Sequence, residues 1–184
     1  MLRSVVLGLG NPLMGDDGLG LAALNSLAAT CAFDPPVELI DGGTWGMNLL
    51  PVIEAADSLL LLDAIDSGSS PGTLVVLERD HVPRRLSGKL SPHQIDVAEI
   101  FALATLRGTL PRRVVALGLQ PGQVRLSTEL SEPVKRALPR LVELAIERLI
   151  EWGHLPRPKS AVASSEAGSC RIAVFEPCTS SASL

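Results

Sequence analysis

The segment Ser58–Ile65, SLLLLDAI, is an apolar run with one charged residue near its end. It is far shorter than the roughly 20 apolar residues that a membrane-spanning helix requires. Successive side chains of a strand point to opposite faces, so a strand that is apolar at consecutive positions must be covered on both faces. The run therefore predicts the central strand of a mostly parallel sheet that lies between two layers of helices.

Strand and helix patterns alternate along the rest of the chain. Short apolar or β-branched runs predict further strands at Ser4–Leu9, Val37–Asp41, Gly72–Glu78 and Arg113–Leu119. Longer segments predict helices at Leu19–Thr30, Gly46–Ala56 with Pro51 in the first turn or at a kink, Ser91–Gly108, and Ser131–Gly153 interrupted by Pro139. This alternation predicts the α/β class: a three-layer sandwich with a mostly parallel twisted sheet and helices on both faces.

These patterns stop after Gly153. We expect one domain over residues 1–155, followed by a Ser-rich, mobile tail over residues 156–184. The short segment RIAVF within that tail could dock on the domain, which is the less favoured alternative.

Composition excludes several classes of protein. The 184 residues carry a formal net charge of −4 and no Tyr, which argues against nucleic-acid binding because a basic face and stacking aromatics are both scarce. The N-terminus lacks the pattern of a secretory signal, and no apolar stretch suits a membrane span. Cys31, Cys170 and Cys178 have no metal-site spacing, which favours a reduced, cytoplasmic setting, with Cys31 structural at the end of a helix.

The first predicted strand is followed by a glycine turn, GLGNPLMGDDGLG. Gly8 and Gly10 match the first two glycines of a dinucleotide-binding turn, but Leu13 stands at the third position. Asp16 and Asp17 would repel a pyrophosphate at the start of the following helix, so nucleotide binding is not expected. We expect Asp16 to cap that helix and Asp17 to point into the cleft, and the opposite assignment stays open.

Two further polar residues are predicted at the same edge of the sheet. Asp63 ends the central strand, where it is either a turn residue or a site residue. His93 begins a predicted helix whose dipole favours the neutral imidazole, although a lone histidine is more often a surface or capping residue. Two carboxylates and one imidazole would suit an exchangeable site for Zn, Ni or Co, whereas the absence of H-E-x-x-H argues against a conventional zinc protease.

The remaining acidic and histidine candidates have simpler interpretations. Asp66 lies in DSGSSPG, where turn formation is the better explanation. His81 and His154 lie in polar or Pro-rich segments and are interpreted as surface or capping residues.

Five ordered motifs together resemble the maturation endopeptidases of nickel–iron hydrogenases, and most closely the uptake-hydrogenase branch. They are GLGNPLMGDDGLG, DGGTWGMNLL, LLLLDAIDSGSSPGTL, SPHQIDVAEIFALATLRGTLP and ALGLQP, within a resemblance that runs from about Val5 to Pro158. The resemblance implies a twisted sheet between two helix layers. It also implies one cut near the C-terminus of a hydrogenase large-subunit precursor, after nickel insertion, with release of a short peptide.

The resemblance further implies a set of site residues. The metal-contacting and catalytic residues would be Asp17, Asp63 and His93, and many members of the family carry Glu where this chain has Asp17. The metal would be nickel that the precursor carries, and zinc or cadmium could replace it in a crystal. A metal-polarised carbonyl with a carboxylate-assisted water is one possible mechanism, and the sequence offers no Ser/His/Asp arrangement.

Two loops are candidates for contacts with the precursor. The loop DGGTWG would let peptide backbone approach closely at Gly42, Gly43 and Thr44, while a tight strand-to-helix turn is the simpler alternative. The basic loop RDHVPRRLSGK could steer an acidic partner through Arg79, Arg84, Arg85 and Lys89, although a solvated loop is the default interpretation.

The sequence is therefore compatible with three functions from different classes. The first is the endopeptidase, and the second is a nickel-site chaperone that binds the precursor without cutting it. The third is a small-ligand α/β enzyme that uses the glycine turn. The carboxylates of Asp16 and Asp17 argue against it. Only the first predicts a shortened large subunit.

Overall fold

The computed structural model describes residues 2–79, 81–82 and 97–159. Its strands are β1 (Ser4–Leu9), β2 (Cys31–Asp34), β3 (Glu38–Gly43), β4 (Ser58–Ala64), β5 (Leu74–Glu78), β6 (Arg113–Leu119) and β7 (Leu155–Pro158). Its α-helices are α1 (Leu19–Thr30), α2 (Leu50–Glu54), α3 (Val97–Leu106) and α4 (Glu132–Glu151), and 3₁₀ turns span Gly15–Gly18 and Gly46–Leu49. Several residues discussed above lie outside the described part: His93, Arg84, Arg85, Lys89, Cys170, Cys178, RIAVF and the rest of 160–184.

The main sheet has five strands in the order β3-β1-β4-β6-β5. β1 is parallel to β3 and β4, and β4 is parallel to β6, whereas β5 is antiparallel to β6 at the edge. The predicted mostly parallel sheet is confirmed, and the strand that follows Ser58 is its centre. All seven residues of β4 are buried.

Each face of the sheet has its own hydrophobic core. Val5, Leu7 and Leu9 of β1 face a core completed by α2 and α3, while Val6 faces the core completed by α1 and α4. The Leu59–Leu62 run of β4 supplies two leucines to each core, all fully buried. Each such leucine contributes about 1.5–3 kcal/mol by leaving water, so the two-sided burial explains why four consecutive apolar residues are needed there. The predicted three-layer sandwich is confirmed.

Helix α4 passes through Pro139 without a break, so the predicted interruption is wrong. Proline removes one backbone hydrogen bond and costs about 3 kcal/mol inside a helix. Pro139 lies on the exposed side, as does Lys135 one turn earlier, so the freed carbonyl can reach water. The opposite side buries five residues, and this packing holds the helix together: Val134, Leu141, Val142, Ala145 and Leu149.

A second, two-stranded sheet was not predicted. β2 pairs antiparallel with β7, with Cys31 opposite Pro158 and Asp34 opposite Leu155. Cys31 therefore begins a strand, where it is buried, and the expected domain boundary after residue 155 falls inside β7. Two prolines in four residues hide the strand pattern of β7, since proline is tolerated in strands only at edges.

His154 lies between this small sheet and the start of β1. It is buried, with Nδ1 2.8 Å from the carbonyl oxygen of Pro35 and Nε2 2.7 Å from Oγ of Ser4. The Pro35 carbonyl can only accept, so Nδ1 donates to it, and in the neutral imidazole Nε2 then accepts from the Ser4 hydroxyl. The interpretation of His154 as a surface or capping residue is therefore wrong, whereas His81 is exposed as expected.

In the part of the chain that the structure describes, no helix has both the length and the apolar character needed to cross a membrane.

The ion pair between Arg3 and Glu38 joins the segment before β1 to β3 and gives a pH-dependent stability. Nε and Nη2 of Arg3 donate to the two carboxylate oxygens of Glu38 at 2.8 and 2.7 Å. Hydrogen bonding from Arg3 lowers the pKa of Glu38 in the folded state. We expect Glu38→Gln to reduce the free energy of unfolding at pH 7 by about 0.2–1 kcal/mol, the range for exposed pairs.

The lowered pKa of Glu38 fixes the sign of this pH dependence. The stabilisation is present above the unfolded-state pKa of Glu38 and is lost as pH falls through its folded-state pKa. Denaturant unfolding at several pH values, in a double-mutant cycle with Arg3→Gln, measures the pair alone. A loss that persists unchanged at acidic pH would contradict the ion-pair explanation.

Candidate active site

The candidate site lies where the parallel strands end. In the register of the sheet Gly8 faces Asp41 of β3 on one side and Leu62 of β4 on the other, and Asp63 faces Gly118 of β6. The glycine turn after β1, the loop after β3 and the end of β4 therefore share one edge. Ligands of open α/β sheets bind at this carboxyl edge.

The glycine turn folds back on itself and places Asp17. Gly10 has φ +111°, and its N–H donates to the carbonyl of Gly43 at 2.9 Å. A Cβ at Gly10 would lie 1.7 Å from the carbonyl oxygen of Asp17, so only glycine fits there. Oδ2 of Asp17 accepts the Asn11 N–H at 2.8 Å, which fixes the carboxylate while its side chain stays partly exposed.

Asp63 is the sixth residue of β4 and is fully buried. Its Oδ1 accepts the N–H of Ala64 at 2.8 Å, so the carboxylate turns along the strand toward its end. Gly118 on the neighbouring strand lets β6 pack closely against the backbone at Asp63, because a Cβ there would lie 2.3 Å from the Asp63 carbonyl oxygen. The expected position of Asp63 at the end of the central strand is confirmed.

Helix α1 brings the turn and β4 together. A Cβ at Gly20 would lie 2.2 Å from the Leu62 carbonyl oxygen and 2.3 Å from that of Leu9. The first turn of α1 therefore packs directly on the ends of β1 and β4, and the 3₁₀ turn that holds Asp17 contacts β4. The structure thus places Asp17 and Asp63 at one edge. His93 lies outside the described residues.

No group of three or more His, Cys, Asp or Glu side chains within 2–79, 81–82 and 97–159 could hold a metal ion. The predicted set of Asp17, Asp63 and His93 needs His93 as its third member, and His93 lies outside these residues.

Asp16 has a different environment from Asp17, and the expectation that it caps α1 is wrong. Gly18 is the N-cap of α1, and no side chain caps that helix. The Asp16 carboxylate is fully buried and accepts hydrogen bonds from Gly122, Gln123 and Ser131. Burial alone would raise the pKa of Asp16, but these hydrogen bonds together lower it below the ordinary value.

In the loop DGGTWG, close packing requires glycine at the first of the two consecutive glycine positions. Gly42 is buried, and a Cβ there would lie 2.7 Å from Cδ1 of Leu7. Gly43 and Gly46 have φ +42° and +53°, and Trp45 N–H donates to the Gly42 carbonyl at 3.0 Å, as in a tight turn. Thr44 is exposed at the tip of this turn.

Two residues at this edge were not singled out from the sequence. Asp41 lies in β3 opposite Gly8, two residues before the strand ends, and burial raises the pKa of its carboxyl even though Gly43 donates a hydrogen bond to it. Gln120 accepts the Ser67 N–H at 2.7 Å and donates to Asp66 at 3.1 Å. Asp41 could have been found as an acidic residue at the end of a predicted strand, and Gln120 lies in the motif ALGLQP.

Asp66 accepts the Gly68 N–H, which confirms its turn role.

The fold and the site define a class: a three-layer α/β protein with carboxylates and a glycine turn at the carboxyl edge of its sheet. The family model for HycI, hydrogenase maturation protease, matches residues 22–148. The chain therefore belongs to the hydrogenase maturation protease family, and it is an endopeptidase, as the resemblance predicted. The matched range contains Asp63 and His93 and begins shortly after Asp17.

Individual relatives agree with this assignment. The hydrogenase expression/formation protein HoxM of Cupriavidus necator is 39% identical over 159 residues, which cover 85% of this chain and 79% of HoxM. The hydrogenase 2 maturation protease of Escherichia coli is 31% identical and is covered over 99% of its length by 88% of this chain. The solved structure of the hydrogenase maturating endopeptidase HybD from E. coli superposes with a TM-score of 0.81 at 31% identity, covering 86% of this chain and 99% of HybD.

The contact at Gly20 is testable by adding one methyl group. Alanine favours helices over glycine by about 1 kcal/mol. We nevertheless expect Gly20→Ala to lower the free energy of unfolding by about 2 kcal/mol, because the methyl group would overlap two backbone carbonyls. Denaturant unfolding measures the difference.

The matched control is Asn25→Ala at an exposed position of the same helix. It should stay within about 0.5 kcal/mol of the wild type. A Gly20→Ala protein as stable as this control would show that α1 does not pack on the strand ends as described.

Proposed function

We propose that this endopeptidase removes a short C-terminal peptide from the large-subunit precursor of a nickel–iron hydrogenase after nickel has been inserted. The observation that carries the proposal is the convergence of Asp17 and Asp63 at the carboxyl edge of the sheet in a chain of the hydrogenase maturation protease family. Both residues lie in motifs that resemble those of the family. The three cysteines have no metal-site spacing, which supports a reduced, cytoplasmic setting for the reaction.

In this proposal Asp17, Asp63 and His93 contact nickel that belongs to the substrate. Carboxylate oxygens and imidazole nitrogen are ligands that a borderline divalent ion accepts. Asp17 suits an incoming ion because its carboxylate is partly exposed, whereas the Asp16 carboxylate is fully buried and engaged by neighbouring donors. Zinc or cadmium would be accepted by the same ligands.

The same groups suggest how cleavage would proceed. Nickel would supply Lewis acidity toward the scissile carbonyl, and a carboxylate would accept a proton from the attacking water. The water oxygen adds to the carbonyl carbon, the C–N bond breaks, and the proton passes to the leaving amine. Requiring nickel in this step would restrict cleavage to the loaded precursor.

The end of β3 and the loop that follows it are proposed to carry part of the substrate. Gly43 and Thr44 lie beside the glycine turn, and the Gly43 carbonyl holds Gly10 in place. Thr44 is exposed there, and Gly42 packs against the side chain of Leu7. A precursor segment that runs along this loop would reach the edge where Asp17 and Asp63 lie.

A nickel-site chaperone that does not cut is not favoured, because the relatives are named as proteases. It makes the same binding predictions as the endopeptidase, so only the mass of the large subunit separates the two.

The deciding experiment incubates purified protein with a nickel-loaded large-subunit precursor and with the nickel-free form, followed by mass spectrometry. We expect one discrete C-terminal loss, on the loaded form only. Asp17→Asn, Asp63→Asn and His93→Ala should each reduce the cleavage rate by about 100-fold or more, since each removes a ligand of the reacting centre.

Asp66→Asn is the matched control, because it makes the same chemical change in an exposed turn near this edge. It should cleave at a rate close to that of the wild type. An intact precursor that still binds the wild type would favour the chaperone. Cleavage that survives all three site substitutions would refute the site assignment while leaving the endopeptidase function in place.

A further inference from the structure

The segment Gln120–Ser131, which joins β6 to α4 and is called here the β6–α4 loop, is tied to the glycine turn by backbone hydrogen bonds. Gly15 N–H donates to the Ser127 carbonyl at 2.7 Å, and Asp16 N–H donates to the Gln123 carbonyl at 3.0 Å. In return Ser127 N–H donates to the Leu13 carbonyl at 2.9 Å. The loop therefore lies along the side of the turn that faces away from β3.

The Asp16 carboxylate adds four hydrogen bonds to this contact. Oδ2 accepts the N–H groups of Gly122 and Gln123 at 2.7 and 2.9 Å and the Ser131 hydroxyl at 2.7 Å. Oδ1 accepts the Ser131 N–H at 2.6 Å. The Asp16 side chain is fully buried, so water does not compete for its oxygens.

Ser131 shows which helix this carboxylate serves. It is the N-cap residue of α4, but its side chain makes no hydrogen bond to the first turn of that helix. An N-cap serine ordinarily accepts from an N–H group there. Here its hydroxyl donates to Asp16 instead, so part of the local stabilisation of α4 is replaced by a contact with the glycine turn.

The turn is thus held from two sides, with Asp17 between them. On one side Gly10 is bonded to Gly43, and on the other side Asp16 is bonded to the β6–α4 loop. The Asp17 carboxylate itself is held within the turn by the Asn11 N–H. Its position relative to β4 therefore depends on where these two attachments hold the turn.

We propose that Asp16 is a positioning residue that keeps Asp17 in the geometry required for cleavage by anchoring the glycine turn to the β6–α4 loop. The inference rests on the proposed function for its effect on the reaction. Its structural part, the placement of Asp17 by Asp16, stands on the hydrogen bonds alone. Asp16 touches neither the substrate nor the metal in this role.

Asp16→Asn tests the anchor with little change in volume. An amide has one acceptor oxygen where the carboxylate has two, so in either orientation its NH₂ group faces at least one of the loop's donors. We expect the kcat for the nickel-loaded precursor to fall about tenfold or more, with KM changed by less than about threefold, because the turn would be misplaced while the surface that binds the precursor stays.

Ser131 provides a milder variant and a rescue. Ser131→Ala removes one donor and leaves the three backbone donors, so we expect an intermediate loss of kcat in a protein that folds. Ser131→Thr keeps the hydroxyl and should restore most of the activity. Asp66→Asn should stay near the wild-type value.

A second readout does not depend on cleavage. In Asp16→Asn, amide hydrogen exchange of Asn11 should become about tenfold faster because its bond to Asp17 is loosened, while the amides of Leu24 and Leu27 in α1 stay protected. Unchanged exchange at Asn11, or equal losses throughout α1, would overturn the positioning role. A wild type that fails to cut, together with faster exchange at Asn11, would refute the proposed function and support the anchor.

Discussion

The close packing of α1 on the ends of β1 and β4 is the contact on which the site depends. Gly20 has no room for a side chain because the carbonyls of Leu9 and Leu62 lie where a Cβ would be. The helix therefore starts directly above the sheet edge, and the 3₁₀ turn before it contacts β4. Asp17 and Asp63 are far apart in sequence but share this edge because one helix begins so close to two strands.

The elements with two-sided or periodic burial could be predicted from the sequence. The apolar run of β4 can be buried only as a strand that is covered on both faces. Helix α1 was predictable because its apolar residues pack on one face of the sheet. The β2–β7 sheet could not be predicted, because its four-residue strands pair across the domain and Pro156 and Pro158 mask the pattern of β7. The helix over Ser131–Gly153 was predicted, but its continuity through Pro139 was missed because burial of the opposite side outweighs a local proline penalty.

Some residues of the candidate site could likewise be predicted from the sequence, and others could not. Asp17 and Asp63 were predictable because local signals, a glycine turn and the end of an apolar strand, place them at the carboxyl edge. The role of Asp16 was not predictable, because its partners in the β6–α4 loop are more than 100 residues away in sequence. Helix-start statistics favoured a cap for Asp16, but a cap uses only one acceptor, whereas the loop offers four donors to a buried carboxylate.

The hydrogen bonding of the turn also explains why a glycine turn at the head of a helix need not bind phosphate. A phosphate site needs backbone N–H groups that point toward the ligand and have no other partner. Here those donors are already used within the protein: Gly10 by Gly43, Asn11 by Asp17, Gly15 by Ser127 and Asp16 by Gln123. A turn whose amides are satisfied internally, and which carries two carboxylates, disfavours a bound anion. These four donors are therefore not available to the small-ligand alternative built on a nucleotide-like turn.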